Sequence, residues 1–231
     1  MTAIGAWLRR ALWDVVPRDH RESPDALRRR RIVTVVVLLV GAAVLGVSLR
    51  IEPGSPWFYP ATLALAAVWT VGALASGPLH LGRIERRAVH VRPLLSPVAV
   101  GLGLAAVFVL GGLVVRNVGT LDRLVASVLD HAAEGSLALV VLVTVVNGLA
   151  EELFFRGAAY AAISRHPVAW TTAAYGVVTL ATGNMMLTFA ALLLGVVVGL
   201  ERRASGGILA PALTHVTWSV TVLLALPLVF G

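Results

Sequence analysis

Apolar stretches of about 20 residues recur along this 231-residue chain, and a helix of that length can cross the roughly 30 Å hydrocarbon core of a bilayer. Apolar residues make up 58% of the sequence and charged residues 13%. A soluble globular domain carries about 25% charged residues. The sequence therefore predicts an all-α integral membrane protein, with a basic amphipathic cytoplasmic segment at 1–31 and a single membrane domain at 32–231.

The apolar runs predict about seven transmembrane helices and two helices that lie on the membrane surface. The surface helices are expected at 3–16 and 120–133, where apolar residues share one helical face. The spans are expected at about 32–49, 60–77, 96–115, 136–164, 167–182, 185–200 and 208–229.

The arginines predict the orientation of these spans. All 19 basic residues are arginine; 16 fall in segments predicted to be inside, and three, Arg50, Arg116 and Arg123, fall outside. Positive charge concentrates on the cytoplasmic side, so we expect a cytoplasmic amino terminus and an outer carboxy terminus. The absence of lysine indicates a GC-rich bacterial source, and hence the inner (plasma) membrane. Basic residues scattered between apolar runs argue against a nucleic-acid partner, which a basic patch on one face would bind.

Two adjacent glutamates, Glu151 and Glu152, lie inside the fourth predicted span. A charge there costs roughly 3 kcal/mol or more, so it is rarely kept without a use. At 1.5 Å per residue, Glu151 lies roughly 8 Å and His215 about 10 Å from the cytoplasmic edge of the membrane core. Tyr175 and Thr179 of the fifth span reach nearly the same layer. We therefore expect these residues to share a cavity that opens to the cytoplasm.

These residue types fit hydrolytic chemistry. One glutamate could draw a proton from water as a general base, and His215 could stabilise an oxyanion or bind a metal. Glu152 and Arg156 are four residues apart and can pair on one helical face. Purely structural roles, a helix-packing histidine and a structural Glu–Arg pair, stay open. The absence of cysteine excludes disulfides and thiolate chemistry.

Three motifs follow one another in the second half of the chain: Glu151-Glu152-x-x-x-Arg156 followed by Gly157, then Gly195-x-x-x-Gly199, then Leu209-Ala210-Pro211 leading into His215. Together they resemble the CAAX-protease and bacteriocin-processing family of intramembrane peptidases. The glycine pair would also let a neighbouring helix approach closely. The resemblance covers about 147–218 and implies a family-like core at about 136–220.

The resemblance implies a helical membrane fold with a cytoplasm-facing cavity, and endopeptidase activity on peptide or prenylated-protein substrates. It implies that Glu151 activates water with support from Glu152, and that His215 completes the site, often with a metal. That metal would be zinc, with Glu151 and His215 as its ligands.

The sequence departs from the family pattern at two positions. Thr179 stands where a second histidine is expected, and Ser219 stands where an asparagine is expected. A catalytic zinc usually has three protein ligands, and hydroxyls are poor ones. Thr179 and Ser219 could still donate hydrogen bonds to an oxyanion. The site is therefore either a metal-free Glu–His site or the remnant of a lost activity.

The leading hypothesis is an intramembrane endopeptidase that hydrolyses peptide bonds of membrane-associated or prenyl-like substrates. Its rival is a catalytically lapsed relative that acts as a binding or accessory subunit for a partner helix or lipid tail. A proton-coupled transporter would also use buried carboxylates, but the chain has one acidic cluster and no detectable repeat. The expected partners are the bilayer and a peptide, a protein substrate or a partner helix.

Overall fold

A computed structural model describes residues 2–17, 19–52, 54–86, 89–133 and 136–230. Arg18 and Arg87, two arginines used for the predicted orientation, lie outside these ranges. The elements in chain order are α1 (Ala3–Leu12), α2 (Pro24–Ser48), α3 (Phe58–Ser76), β1 (Ile84–Arg86), β2 (Val89–Val91), α4 (Leu95–Val115), α5 (Gly119–Ala133), α6 (Leu137–Glu152), a π-helical segment (Leu153–Ala159), α7 (Tyr160–Ala162), α8 (Pro167–Leu180), α9 (Met185–Ser205), α10 (Leu209–Ala225) and α11 (Pro227–Phe230).

The all-α membrane architecture is confirmed. Within the described ranges, six helices are long and apolar enough to cross a membrane: α2, α3, α4, α9, α6 with its continuation to Ala162, and α10 with α11. The fifth predicted span is α8, which has 14 residues and is shorter than the others. The count of seven spans stays a prediction. Helix α5 covers the second predicted surface segment, and α1 covers the first as far as Leu12.

Three details differ from the sequence prediction. Helix α2 begins at Pro24, eight residues before the predicted span, because the Ser23 side chain caps the amide of Ala26 and proline suits the first helical position. Helix α9 continues to Ser205, five residues past its predicted end. The loop after α3 contains a short antiparallel hairpin, β1–β2, in a chain predicted to be wholly helical.

An aromatic cluster fills the centre of the bundle between α2, α3 and the π-helical segment. The Trp69 ring stacks on Phe154 at 4.6 Å between centroids and lies 5.3 Å from the ring of Phe155. Gly41 makes room for it, since a Cβ there would lie 2.0 Å from the Trp69 ring. All three aromatic side chains are buried.

Helix α8 lies close against α9 along the two glycines of the Gly-x-x-x-Gly motif. A Cβ at Gly199 would lie 2.9 Å from Val168 Cγ1, and one at Gly195 would lie 3.1 Å from Thr172 Cγ2. The structure therefore shows the close helix approach that the motif predicts. This contact sets the position of α8, which carries Tyr175 and Thr179.

The start of α10 is fixed by the loop that follows α3. The amide of Ile208 donates to the His80 carbonyl at 2.8 Å, and the amide of Leu209 donates to the Leu81 carbonyl at 3.1 Å. The first amides of a helix have no partner within the helix, so these bonds satisfy two of them. They anchor the helix that carries His215.

Candidate active site

A π-helical segment, Leu153–Ala159, follows the two glutamates directly. Such wide turns are rare and are found frequently at functional sites. Arg202 holds this one in place, because its Nε donates to the Arg156 carbonyl at 2.6 Å and its guanidinium carbon lies 4.7 Å from the Tyr160 ring centre. No feature of the sequence predicts this segment, because its residues are compatible with an ordinary α-helix.

Glu152 forms the buried part of the site. Its side chain has no solvent exposure, and its Oε1 accepts hydrogen bonds from Arg156 Nη1 at 3.0 Å and from His215 Nδ1 at 2.8 Å. A carboxylate between a guanidinium and an imidazole acts as the acceptor, so we assign the Nδ1 proton to His215. Glu152 thereby fixes the ring orientation of His215, and the sequence-predicted pair with Arg156 is present.

Glu151 forms the exposed part of the site. Its side chain is 17% exposed, and its Oε2 accepts a hydrogen bond from the Tyr175 hydroxyl at 2.5 Å. His215 Nε2 lies 4.0 Å from the same carboxylate oxygen. This distance is too long for a direct hydrogen bond, but one water oxygen could lie about 2.8 Å from both atoms. Tyr175 is held in turn by the Arg156 guanidinium, whose carbon lies 5.0 Å from its ring centre.

A cavity of about 430 Å³ lies above Glu151 and His215. Its floor is polar, with Glu151, Tyr175 and His215, and its walls are mostly apolar side chains such as Leu187 and Leu223. Glu152 and Arg156 do not line it; they lie behind the floor. A polar floor under apolar walls is typical of a site that binds an apolar ligand next to a reactive group.

The position of this cavity bears on the expected opening to the cytoplasm, which stays a prediction. The residues that line the cavity include Leu49, Tyr59 and Thr182, at the end of the bundle away from the predicted arginine-rich loops. The arginine-rich side of the site is filled by the buried side chains of Phe154 and Phe155. Helix rise gives the depth of a residue, whereas side-chain packing decides from which side it can be reached.

Comparison with known families identifies this region. Residues 133–221 match the family model described as Rce1-like, "Type II CAAX prenyl endopeptidase Rce1-like". The segment is Rce1-like. The resemblance predicted from the motifs is thereby confirmed over less than half of the chain, in a stretch that contains every predicted site residue. No curated protein and no solved structure matches the chain.

The two departures within the Rce1-like segment both lie on the cavity wall. Thr179 and Ser219 line the cavity above Tyr175 and His215 respectively. The Thr179 hydroxyl donates to the Tyr175 carbonyl at 2.8 Å, within its own helix. Its proton therefore points away from the cavity, and its assignment as an oxyanion donor stays a prediction that requires a rotamer change.

The side chains of the Rce1-like segment do not fit a zinc ion. Glu152 and His215 Nδ1 bind each other, so only Glu151 and His215 Nε2 remain as ligands facing the cavity. Zinc usually takes three protein ligands. Among the described residues, no group of three or more His, Cys, Asp or Glu side chains is placed to hold a metal ion. The mechanism proposed below accordingly uses protein side chains alone.

Sequence reasoning missed several buried polar residues of the Rce1-like segment. Glu201 and Arg202 were placed in a cytoplasmic flank, yet they are 1% and 4% exposed because α9 continues past its predicted end. Thr214 Oγ1 lies 2.8 Å from Glu201 Oε1. Asn147 and Trp218 line the cavity, and in the described part of the chain neither the Asn147 Oδ1 nor the Trp218 Nε1 has a hydrogen-bond partner. For Asn147 the sequence did hold a signal, because it is a polar residue one helical turn before Glu151 in an otherwise apolar run.

Proposed function

We propose that this protein is an intramembrane endopeptidase in which Glu151 activates a water molecule. The observation that supports it is the convergence of Glu151 and His215 Nε2, 4.0 Å apart, on the floor of a cavity with apolar walls. The Rce1-like segment supports a membrane endopeptidase role of the same kind.

In the first step, a water oxygen between Glu151 and His215 attacks the carbonyl carbon of a peptide bond, and Glu151 takes its proton. The Tyr175 hydroxyl donates to one lone pair of Glu151 Oε2, and the second lone pair of the same oxygen accepts that proton. A positioned general base contributes about 10²–10⁴-fold to the rate. In the second step, the carbon–nitrogen bond breaks, and the Glu151 carboxyl returns the proton to the leaving amine.

His215 stabilises the negative charge on the carbonyl oxygen. With a proton on each ring nitrogen, His215 is a donor on both sides. In that form Nδ1 donates to Glu152 and Nε2 donates to the developing oxyanion. A donor at this position is worth about 10²–10³ in kcat.

The substrate class follows from the cavity walls and from two unpaired groups beside them. Asn147 Oδ1 and Trp218 Nε1 are buried, and neither has a partner among the described residues. A buried donor or acceptor without a partner costs about 1–3 kcal/mol. An extended peptide offers an N–H and a C=O that would satisfy both groups once the side chains that cover them move aside. We therefore propose a membrane-associated peptide with apolar or prenyl-like side chains as the substrate.

The test is cleavage of apolar fluorogenic peptides by the purified protein in lipid nanodiscs. Glu151→Gln and His215→Ala should each lower the cleavage rate by at least about 100-fold, while Glu85→Gln, at an exposed position of β1, should leave it unchanged. Cleavage that persists in both site variants would contradict the mechanism. Added chelator should have no effect on the rate.

A second candidate function, a non-catalytic subunit that holds a partner helix in the cavity, is favoured by the orientation of Thr179. Its hydroxyl is bonded within α8 and not directed at the reacting groups. This function predicts that the nanodisc protein binds an apolar peptide without cleaving it, and that Glu151→Gln leaves binding intact.

A further inference from the structure

We propose that the cavity is entered from the extracytoplasmic side of the membrane, so that its substrates are apolar segments presented on that side. The choice of substrate rests on the proposed function, whereas the side of entry does not. The position of the cavity, the packing below it and the distribution of charge each support this proposal.

The cavity lies in one half of the bundle. Five helices contribute to it only from the part near one end: α2 from Leu45 onward, α3 up to Leu65, α8 from Tyr175 onward, α9 up to Leu194 and α10 from His215 onward. Helix α6 contributes from Val140 to Glu151, the first part of a span that continues to Ala162. All these ends lie on the same side, with the loop at 49–57 and the turn at 181–184. We call this side the α5 end, because Ser127 and Val128 of α5 also line the cavity.

The other side is closed by large buried side chains. Phe154, Phe155 and Leu194 have no exposure, and the Trp69 ring covers the two phenylalanines. Arg156 is equally buried beneath Tyr175. A substrate cannot reach Glu151 through this layer without repacking the core.

The charges distinguish the two ends of the bundle. By the predicted spans, 16 arginines flank the closed end and three flank the α5 end. Arg30, Arg156 and Arg202 are buried in the fold and have packing roles. Without these three buried residues, 13 arginines flank the closed end and three flank the α5 end. Loops rich in arginine stay in the cytoplasm, so the α5 end faces outward.

Helix α5 borders the entrance, and the Asn184 side chain links it to the turn before α9. Asn184 Nδ2 donates to the Leu124 carbonyl at 2.7 Å and lies 3.3 Å from Ser127 Oγ. The helix is amphipathic, so its apolar face can border the membrane interface while its polar face meets water. An apolar segment arriving at the outer interface would therefore meet α5 and the cavity mouth together.

The absence of cysteine from the chain allows a direct test, because any introduced cysteine is the only thiol. Thr182→Cys lies at the mouth and Thr144→Cys lies inside the cavity, while Ser164→Cys is exposed at the closed end. Each variant is expressed in a bacterial inner membrane and treated, as spheroplasts, with a membrane-impermeant thiol reagent. Thr182→Cys and Thr144→Cys should be labelled in sealed spheroplasts, and Ser164→Cys only after permeabilisation.

The opposite pattern, with Ser164→Cys labelled first, would overturn the proposal, because the cavity would then face the cytoplasm against the arginine distribution. The proposal would also be overturned if Thr182→Cys is labelled while Thr144→Cys is labelled neither before nor after permeabilisation. Full labelling in denaturant and an unchanged melting temperature in detergent show that each variant is expressed and folded. An apolar peptide added outside should slow the labelling of Thr144→Cys, and no protection would refute the substrate class. None of these measurements requires cleavage, so failure of the proposed peptidase activity would be seen separately.

Discussion

At the scale of residues, the two adjacent glutamates have different surroundings and are expected to have different roles. Consecutive helical side chains point about 100° apart, so one helix can direct one carboxylate at a cavity and the next into the core. Glu152 is fully buried between Arg156 and His215, while Glu151 lines the cavity with Tyr175 as its partner. Glu152 therefore supports the position of His215, and Glu151 is the carboxylate that a substrate can reach.

This difference predicts opposite effects of two matched substitutions. Glu152→Gln removes one partner of a buried ion pair, which costs about 3–5 kcal/mol, so the melting temperature in detergent should fall markedly. Glu151→Gln keeps an acceptor for Tyr175 and should melt within a few degrees of the natural protein, while losing about 10²–10⁴-fold in cleavage rate. Equal losses of melting temperature would contradict the assignment, and Glu85→Gln is the control for both measurements.

The grouping of these residues could be predicted from the sequence because helix rise is constant. Depth alone placed Glu151, His215, Tyr175 and Thr179 in one layer, and the structure brings all four to the cavity. The partner of each side chain could not be predicted, since the choice between Glu151 and Glu152 for His215 Nδ1 depends on the rotation of α10 against α6. The burial of Glu201 was missed for a different reason: the predicted span ended before the first charged residue, whereas Gly206, with a φ of 73°, is the residue that ends α9.

At the scale of helices, the glycines of α9 determine where α8 places Tyr175. Gly199 packs against Val168 so closely that a Cβ at this position would clash with the valine side chain. Gly195 lies against Thr172 and the Arg156 guanidinium. The same motif therefore serves the packing of α8 and the environment of the buried arginine. Tyr175 reaches Glu151 only because α8 lies this close.

A Cβ at Gly199 should consequently move α8 away and weaken the site. We expect Gly199→Ala to cost about 1–3 kcal/mol, the usual price of overpacking, and to reduce cleavage as Tyr175 is displaced from Glu151. Gly103→Ala on α4 is the matched control, because a Cβ there meets no atom within 4 Å. Thermal melting in detergent compares the two, and a control that melts as low as Gly199→Ala would refute this account.

Asn184 links two helices through different atoms. Its Oδ1 accepts from the amides of Met186 and Leu187 and caps α9, while its Nδ2 donates to the Leu124 carbonyl of α5. Asn184→Asp keeps the cap, since aspartate is an equally good residue at this position, and loses the donor. It should leave the melting temperature nearly unchanged and speed thiol labelling of Thr144→Cys in detergent, because α5 is released. Asn184→Ala loses both the cap and the donor. Equal melting temperatures for Asn184→Asp and Asn184→Ala would contradict this division of roles between Oδ1 and Nδ2.

At the scale of the whole molecule, composition predicted the helical membrane bundle, but the sequence did not predict how its two ends differ. Apolar length decides which segments can cross a bilayer, and the structure bears this out for six helices. The hairpin β1–β2, the π-helical segment and the closed arginine-rich end arise from side-chain packing between distant segments. No local pattern of residues reports such packing, which explains why these three features were not predicted.

The closed end also contains a group that should make the stability of the bundle depend on pH. The ring of His80 stacks on His20 with centroids 3.7 Å apart, in the loop whose carbonyls anchor the start of α10. Burial lowers the pKa of His80 below its ordinary value of 6.5, and the positive charges of Arg202 and Arg30 lower it further, against a smaller opposite effect of Glu22. The folded protein therefore binds fewer protons at this residue than the unfolded chain does.

Stability should consequently fall as the pH drops through 6.5, because the unfolded histidine takes up a proton that the folded one resists. The loss continues until the pH reaches the lowered pKa of the folded state. In melting experiments in detergent, His80→Asn should lower the melting temperature at every pH because the stacking is lost, and should flatten its dependence on pH between about 7.5 and 5. His90→Asn, exposed on β2, should keep the slope of the natural protein. If the melting temperatures of the natural protein and of His80→Asn change in parallel with pH, His80 is not the cause of the pH dependence of stability.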